Sequence, residues 1–277
     1  IKYYQKISKK SDYWFQVQEE IAWAYMRKGE PQNAIAITKT LTYPNFKGLV
    51  GIESYLLDAF SRLKVCDYSG VLNTMAAIKP QFADHLTALE KLSNDGQQPA
   101  VKTLAEALLQ GSVSIDKLGP VAHSLPMVAS KDESLTILIH TQKALEEESA
   151  VAETLFAHSL TFGNLQGQYE ALKNQIKNRA EMTKGAFYQH VQELAKAELA
   201  DSKQVIQRLH IVEVEMIQQV DSANKFKNKL GAAELKKGTT GSNSSYAMSF
   251  SNDKEIWFDE LSNFKVDIKN GCAKRTE

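Results

Sequence analysis

Apolar residues recur at steps of three and four along most of the chain, which is the spacing of one face of an α-helix. In the first 80 residues this pattern predicts two pairs of helices, over 13–28, 31–41, 52–64 and 71–78. Gly29 is placed to end the first helix in a left-handed conformation. Pro31 suits the first turn of the next helix, where its missing N–H has no partner to lose. The repeat length of roughly 35 residues is typical of helix-turn-helix solenoids.

A looser helical pattern follows, and then two long ones. Shorter helices are predicted over 81–92, 101–109 and 115–125. Ser130 and Glu133 have the spacing of a capping box that starts a long helix, and a second apolar pattern continues without proline from 165 to 230. We expect these two patterns to form a long antiparallel helical hairpin. Gly185 and Asp201–Ser202 are candidate interruptions, so the pattern leaves open whether 165–230 is one helix or two.

The last part of the chain has a different amino-acid composition. Residues 236–253 are rich in glycine, serine and threonine and predict a flexible polar loop. Trp257–Leu261 predicts a short helix that docks on the body, because so aromatic a segment does not stay exposed without a partner. The expected fold is therefore all-α: a short solenoid, a connector, a long antiparallel hairpin and a docked C-terminal tail. The corresponding divisions of the chain are 1–85, 86–128, 129–232 and 233–277.

Composition and charge exclude several classes of protein. The chain has 33 Lys+Arg against 33 Asp+Glu, a formal net charge of zero, which is not the footprint of a general nucleic-acid or anionic-membrane binder. It contains only 14 Gly and 6 Pro, which disfavours turn-rich all-β folds and favours long helices. No apolar run is long enough to cross a membrane. We expect protein partners, and neither nucleic acid nor a membrane span.

The sequence contains almost no motif that is typical of a catalytic site. There is no phosphate-binding loop and no nucleophile elbow, and the six histidines are scattered without metal-ligand spacing. Glu146–Glu148 offers paired carboxylates, but adjacent helical residues point apart, so a solvated face is the better interpretation. The lysines between Lys225 and Lys237 are those of a solvated helix end, with contact to phosphate or an acidic partner as the alternative. We therefore expect no catalytic residue, no metal and no cofactor.

Two cysteines, Cys66 and Cys272, lie far apart in the sequence and match no zinc-binding spacing. They could pair in an oxidising compartment. One buried thiol and one separate thiol in the tail is the more ordinary arrangement, and the sequence leaves open whether the two cysteines form a disulfide.

The segment from Ile21 to Leu41 resembles a tetratricopeptide repeat. The residues that fit the small–aromatic–glycine–alanine–apolar pattern are Ala22, Tyr25, Gly29, Ala34 and Leu41. Thr38 departs from it, because an aromatic residue is usual there. In the second unit Ala59 and Val71 fit, whereas Cys66 replaces the turn glycine and Arg62 replaces the aromatic residue. The opening Tyr3–Ile7 resembles the end of a preceding repeat, so we expect the chain to begin inside an array.

The resemblance implies a concave groove that receives peptides or helices of a partner protein. The positions that would line it lie on the first helix of each unit. They are Gln16, Glu19, Trp23, Met26 and Arg27 in the first, and Glu53, Leu56, Phe60, Leu63 and Lys64 in the second. Trp, Met and Phe supply much of the binding energy at interfaces, and Arg27 and Lys64 could pair with carboxylates of the partner. The alternative is that the aromatic residues pack against an upstream repeat or the long helices.

The chain as a whole resembles envelope-associated repeat proteins of gliding and predatory bacteria. Three features carry this resemblance: the degenerate repeats, the long helical region, and the tail with Trp257–Leu261 that ends in a cysteine. That resemblance implies a non-enzymatic scaffold in a motility or trans-envelope assembly, located in the periplasm; a cytoplasmic location is the alternative. Two other functions stay open. One is the regulatory arm of an enzyme whose catalytic domain lies upstream. The other is a coiled-coil dimer through 165–230, although the mean apolar step, nearer 3.6 than 3.5, favours packing against a helical body.

Overall fold

The computed structural model describes residues 1–11, 13–43, 46, 48–111, 118–158, 165–230, 268, 271 and 272. These residues contain no strand and form α1 (Trp14–Arg27), α2 (Pro31–Leu41), α3 (Ile52–Lys64), α4 (Tyr68–Asn94), α5 (Pro99–Leu109), α6 (Glu133–His158) and α7 (Gln166–Leu230). Short 3-10 turns lie at Tyr4–Lys6, Gly119–Ser124 and Ala129–Lys131. The all-α class predicted from the sequence is confirmed.

The first helices begin and end where the sequence predicts. Gly29 closes α1 with φ +78°, and the N–H of Glu30 donates to the carbonyl of Tyr25 at 2.9 Å, a bond that satisfies a helix-end carbonyl. Pro31 is the first residue of α2. The helix predicted over 52–64 is α3.

α4 differs from the prediction of two separate helices over 71–78 and 81–92. It is one helix of 27 residues with Pro80 inside it. Proline removes one backbone hydrogen bond and crowds the preceding turn. The apolar face nevertheless continues on both sides of it, because Ile78, Phe82 and Leu89 are all buried. The burial of this continuous face offsets the local cost of the proline.

The chain divides into two compact units, Ile1–Gln81 with Ser202–Glu277 and Phe82–Asp201. Both α4 and α7 contribute residues to each unit. These units do not follow the predicted divisions 1–85, 86–128, 129–232 and 233–277, because the second half of α7 belongs to the unit that contains the repeat-like helices.

In the first unit α1 packs on α2, and α2 packs on α3. Ala22, Ala34 and Leu57 are fully buried in one apolar cluster. A second cluster holds Trp14 and Leu41 with the residues that connect α2 to α3. The alanines leave room for close approach of the helix backbones, which explains why small residues occupy these positions.

The core of the second unit brings α4, α5, α6 and α7 together. Its fully buried members include Leu89, Leu104, Leu135 and Val191. A hydrogen bond between Asp132 and His190 (3.1 Å) and an ion pair between Glu153 and Lys173 (3.0 Å) show that α6 and α7 run antiparallel.

The start of α6 differs from the predicted capping box of Ser130 and Glu133. The carboxylate of Asp132 accepts a hydrogen bond from the N–H of Leu135 at 2.8 Å and is the capping group. Ser130 lies in the preceding 3-10 turn. α6 therefore begins two residues later than a cap at Ser130 would place it.

α7 is a single helix of 65 residues, and neither Gly185 nor Asp201–Ser202 interrupts it. Ser202 is buried, so packing holds the helix at that point. The open question of one helix or two over 165–230 is answered in favour of one. The predicted loop over 236–253, the Trp257–Leu261 anchor and the side chains of the Lys225–Lys237 cluster lie outside the described residues.

Candidate functional site: the cleft between α1 and α3

A cleft of about 820 Å³ lies on the first unit, where the last turns of α1 meet α3. Its lining residues are Glu20, Trp23, Met26, Arg27, Gly29, Pro31, Gln32, Glu53, Phe60, Lys64 and Arg208. Six of the ten positions predicted to line a groove are among them. On α3 these are Glu53, Phe60 and Lys64, which follow one line along the helix because they are seven and four residues apart.

Four predicted positions do not line the cleft. Leu56 and Leu63 are buried, because they lie about 60–80° around α3 from the cleft-facing line and point into the core. Gln16 is exposed and Glu19 is directed at α3, and neither contributes to the lining. For the two leucines, packing inside the protein is the correct interpretation.

The floor of the cleft is aromatic. The rings of Trp23 and Phe60 face each other with their centroids 6.5 Å apart. The indole Nε1–H of Trp23 donates to Glu53 Oε1 at 3.1 Å, which fixes the ring without covering its face. Lys64 Nζ lies 5.0 Å from the centroid of Phe60, within cation–π range. A partly exposed aromatic pair that is fixed in orientation is well suited to hold an apolar side chain.

Three cations surround this floor: Arg27 from α1, Lys64 from α3 and Arg208 from α7. Within the part of the chain that the structure describes, no carboxylate forms an ion pair with any of them. The sequence pattern did not indicate Arg208. It lies more than 140 positions from the other lining residues, and no local spacing connects it to them.

Glu19 is a partly buried carboxyl group beside the cleft. It accepts a hydrogen bond from the hydroxyl of Ser54 on α3. Burial raises the pKa of Glu19 from 4.5 to about 7, the hydrogen bond from Ser54 opposes this, and the nearby charges of Glu53 and Glu20 add to it. Between about pH 4.5 and pH 7, the carboxyl group of Glu19 is therefore mostly protonated, whereas an ordinary glutamate is mostly charged.

A buried polar network lies beneath the cleft and joins α2, α3 and α4. Its centre is Asp58, which is 3% exposed and accepts hydrogen bonds from Thr38 (2.7 Å), Arg62 (2.7 Å) and Thr74 (2.5 Å). Arg62 also donates to Asp67 at 2.8 Å. Thr38 and Arg62 are the two residues that replace aromatic positions of the repeat pattern. The structure shows why both departures occur together, since each satisfies the same buried carboxylate.

The turn between α3 and α4 carries the third departure from the pattern. Cys66 stands where the repeat has glycine and adopts φ +58°, the left-handed conformation that glycine normally supplies. Its sulfur is bonded to that of Cys272, with 5.1 Å between the Cα atoms. The N–H of Gly271 also donates to the carbonyl of Val65 at 2.9 Å. Of the two arrangements that the sequence leaves open, the structure shows the disulfide, which fixes residues 271–272 against the α3–α4 turn.

His85 of the second unit is partly buried, and its contacts are structural. His85 Nε2 lies 2.7 Å from Glu198, and its Nδ1 lies 2.8 Å from the carbonyl of His123. Burial alone would lower the pKa of His85, but these hydrogen bonds to acceptors on both ring nitrogens raise it. Glu198 also accepts from the N–H of Met127 at 2.8 Å. The ring of His85 and the carboxylate of Glu198 therefore hold the segment that contains His123 and Met127 against α7.

Among the described residues, no cluster of three or more histidine, cysteine, aspartate or glutamate side chains could hold a metal ion. None of the described helices combines the length and the apolarity that crossing a membrane requires. In comparisons with known proteins, no family model, no curated protein and no solved structure matches the chain.

Proposed function

We propose that this chain is a non-enzymatic adaptor of the tetratricopeptide type that binds a segment of another protein in the cleft between α1 and α3. The observation that carries the proposal is the composition of the cleft. Trp23 and Phe60 offer an aromatic floor, and Arg27, Lys64 and Arg208 surround it and form no ion pair with a carboxylate of the described residues. Aromatic anchors inside a polar rim are the usual composition of a protein-binding hot spot.

The cleft also favours one kind of partner segment. An apolar side chain would cover Trp23 and Phe60, and flanking carboxylates would pair with the three cations. The three cations outnumber the two carboxylates of the lining, Glu20 and Glu53, so an incoming segment meets a net positive charge. We expect the recognised segment to be acidic with at least one large apolar residue.

We further propose that the protein works in an oxidising compartment, the periplasm of a bacterial envelope. The Cys66–Cys272 disulfide supports this location, because structural disulfides persist in oxidising compartments and are rare in the cytosol. A role in a motility or trans-envelope assembly is the corresponding expectation from the resemblance to envelope-associated repeat proteins.

The cleft is tested by co-purification from the native host. Trp23→Ala and Phe60→Ala should each lose the partner while the helical circular-dichroism signal stays unchanged, because both side chains contact solvent in the cleft. Leu72→Ala is the matched control, since Leu72 is an exposed apolar residue of α4 in the same unit. If all three variants retain the same bound proteins as the wild type, the cleft is not the binding site.

A further inference from the structure

In addition to the face that packs inside the second unit, α6 and α7 each carry an exposed stripe in which large apolar residues alternate with polar ones. In α6 the stripe repeats at alternating steps of four and three residues, the spacing of a helix–helix contact seam. Its members are Ile137, Thr141, Ala144, Glu148, Val151 and Leu155. Every one of them is exposed, and Ile137, Val151 and Leu155 are each more than half exposed, at 58%, 58% and 55%.

The matching stripe begins at Leu165, the residue before α7, and continues along about the first six turns of that helix. It follows steps of three and four residues through Leu165, Gln168, Leu172, Gln175, Arg179, Met182 and Ala186. All of these residues are exposed, and Met182 is 75% exposed. The residues of α7 that face α6 follow a different line, through Tyr169, Lys173, Ile176, Ala180, Thr183 and Phe187, which are partly or fully buried.

The two stripes lie on the same side of the hairpin. At about 100° per residue, the α6 stripe is roughly 90° from the packed face around Leu145 and Ala152, and the α7 stripe is roughly 90° from its own packed face. In both helices the rotation from packed face to stripe has the same sense, viewed from the helix N-terminus. Because α6 and α7 are antiparallel, equal rotations bring both stripes to one side.

A pair of helices with apolar stripes on one common side is half of a four-helix bundle. Between Leu145 and Phe187, none of the residues described in α6 and α7 falls in the buried class. The hairpin end therefore has little core of its own. A second hairpin laid against this side would cover both stripes at once.

We infer that the occupant of this side is a second copy of the chain, and that the two hairpins form an antiparallel four-helix bundle. With the twofold axis parallel to the helices, α6 of each copy packs on α7 of the other, and all neighbouring helices are antiparallel. The register given by the Glu153–Lys173 and Asp132–His190 pairs places Glu148 within about one turn of the height of Arg179. Glu148 of one copy thus meets Arg179 of the second copy, twice in the dimer.

Charge supports a second copy as the occupant. Glu148 is the one acidic member of the α6 stripe, and Arg179 is the one basic member of the α7 stripe. The twofold arrangement sets each Glu148 against Arg179 of the second copy, in both halves of the interface. The surface is complementary to itself, as an isologous contact requires. This inference does not depend on the proposed cleft, which lies in the other unit.

Light scattering of the full chain over a concentration series tests the apolar part of the interface. The wild type should reach twice the 30.9 kDa mass of the chain. Val151→Glu with Leu172→Glu should give the single-chain mass with unchanged helicity, because both side chains are exposed within one copy. Ile211→Glu is the control. Ile211 is a 65% exposed residue of α7 outside both stripes, and this variant should remain dimeric.

A charge exchange tests the twofold pairing itself. Glu148→Arg and Arg179→Glu should each weaken self-association roughly tenfold, because each places two like-charged pairs across the interface. A one-to-one mixture of the two variants should recover the wild-type affinity. A wild type that is monomeric at every concentration overturns the inference. So does a dimer that persists in the Val151→Glu/Leu172→Glu variant, or a mixture that fails to recover.

Discussion

Glu19 illustrates how a single carboxyl group beside the cleft connects burial to pH. Its pKa is raised to about 7 in the folded protein, so the folded state holds a proton that the unfolded chain releases near pH 4.5. Stability from this group is therefore fully present below pH 4.5 and is lost as the pH rises towards 7. The charged form of Glu19 is destabilising at neutral and alkaline pH.

Glu19→Gln should raise the free energy of unfolding at pH 8 by about 1–3 kcal/mol and leave it nearly unchanged at pH 4. The amide keeps a partner for Ser54 but cannot ionise. Urea unfolding monitored by circular dichroism at several pH values measures the effect. Glu20→Gln is the control, because Glu20 is an exposed neighbour. A wild type and a Glu19→Gln variant with parallel pH profiles would contradict the buried carboxyl.

Asp58 should be the most sensitive polar residue of the first unit. Asp58→Ala removes the acceptor for Thr38, Thr74 and Arg62 together and should lower the free energy of unfolding by about 3–5 kcal/mol. Asp67→Ala is the comparison, because Asp67 is more exposed and caps α4; it should lower the free energy by about 1 kcal/mol. Equal losses in urea unfolding would show that Asp58 is not the centre of the network.

The departures from the repeat pattern were visible in the sequence, but their meaning was not. Thr38, Arg62 and Cys66 could be identified as exceptions because the surrounding residues fit. Their common explanation depends on Asp58 and Cys272, which no local spacing connects to them. Pairwise contacts between distant residues are set by the packing of helices, and the pattern along one helix does not contain them.

The helices themselves were the most predictable feature. α1, α2, α3 and α5 follow directly from the apolar spacing and from the stop and start residues Gly29 and Pro31. The prediction failed at Pro80, where local propensity suggested a break, and it left open whether the helix continues through Gly185. Propensity costs of about 1–3 kcal/mol at one residue are smaller than the burial of a continuous apolar face over several turns.

Substitutions at two helical glycines measure how local helix propensity and side-chain packing each contribute to stability. A Cβ at Gly185 meets nothing within 4 Å, so Gly185→Ala should stabilise α7 by about 0.5–1 kcal/mol. A Cβ at Gly70 would lie 2.1 Å from the carboxylate of Asp67, so Gly70→Ala should destabilise the start of α4. Thermal unfolding of the two variants should shift in opposite directions. A shift in the same direction would mean that one of these helix positions is wrongly described.

The disulfide joins residues that are 206 positions apart, and a cross-link over so long a loop restricts the unfolded chain strongly. Cys272→Ser should lower the free energy of unfolding by about 2–5 kcal/mol. A reducing agent should bring the wild type to the same level and leave the variant unaffected. Unfolding with and without reductant makes the comparison. A wild type that does not respond to reductant, or that shows two free thiols when oxidised, would contradict the pairing.

In the whole molecule, each unit carries one of the two proposed binding surfaces. The first unit has the cleft around Trp23 and Phe60, and the second has the stripes of α6 and α7. The sequence indicated six of the lining residues of the cleft, because the first helices of the repeat-like units place them on one face. It did not indicate Arg208, since its position depends on how α7 packs within the first unit.

The most direct test of the cleft is photo-crosslinking in the native host. A photoreactive phenylalanine analogue in place of Phe60 should capture one discrete protein, and Trp23→Ala in the same chain should abolish that adduct. The analogue in place of Leu72, on the exposed side of α4, should not capture it. No adduct at position 60, or the same adducts at positions 60 and 72, would contradict the proposal that this cleft binds a partner protein.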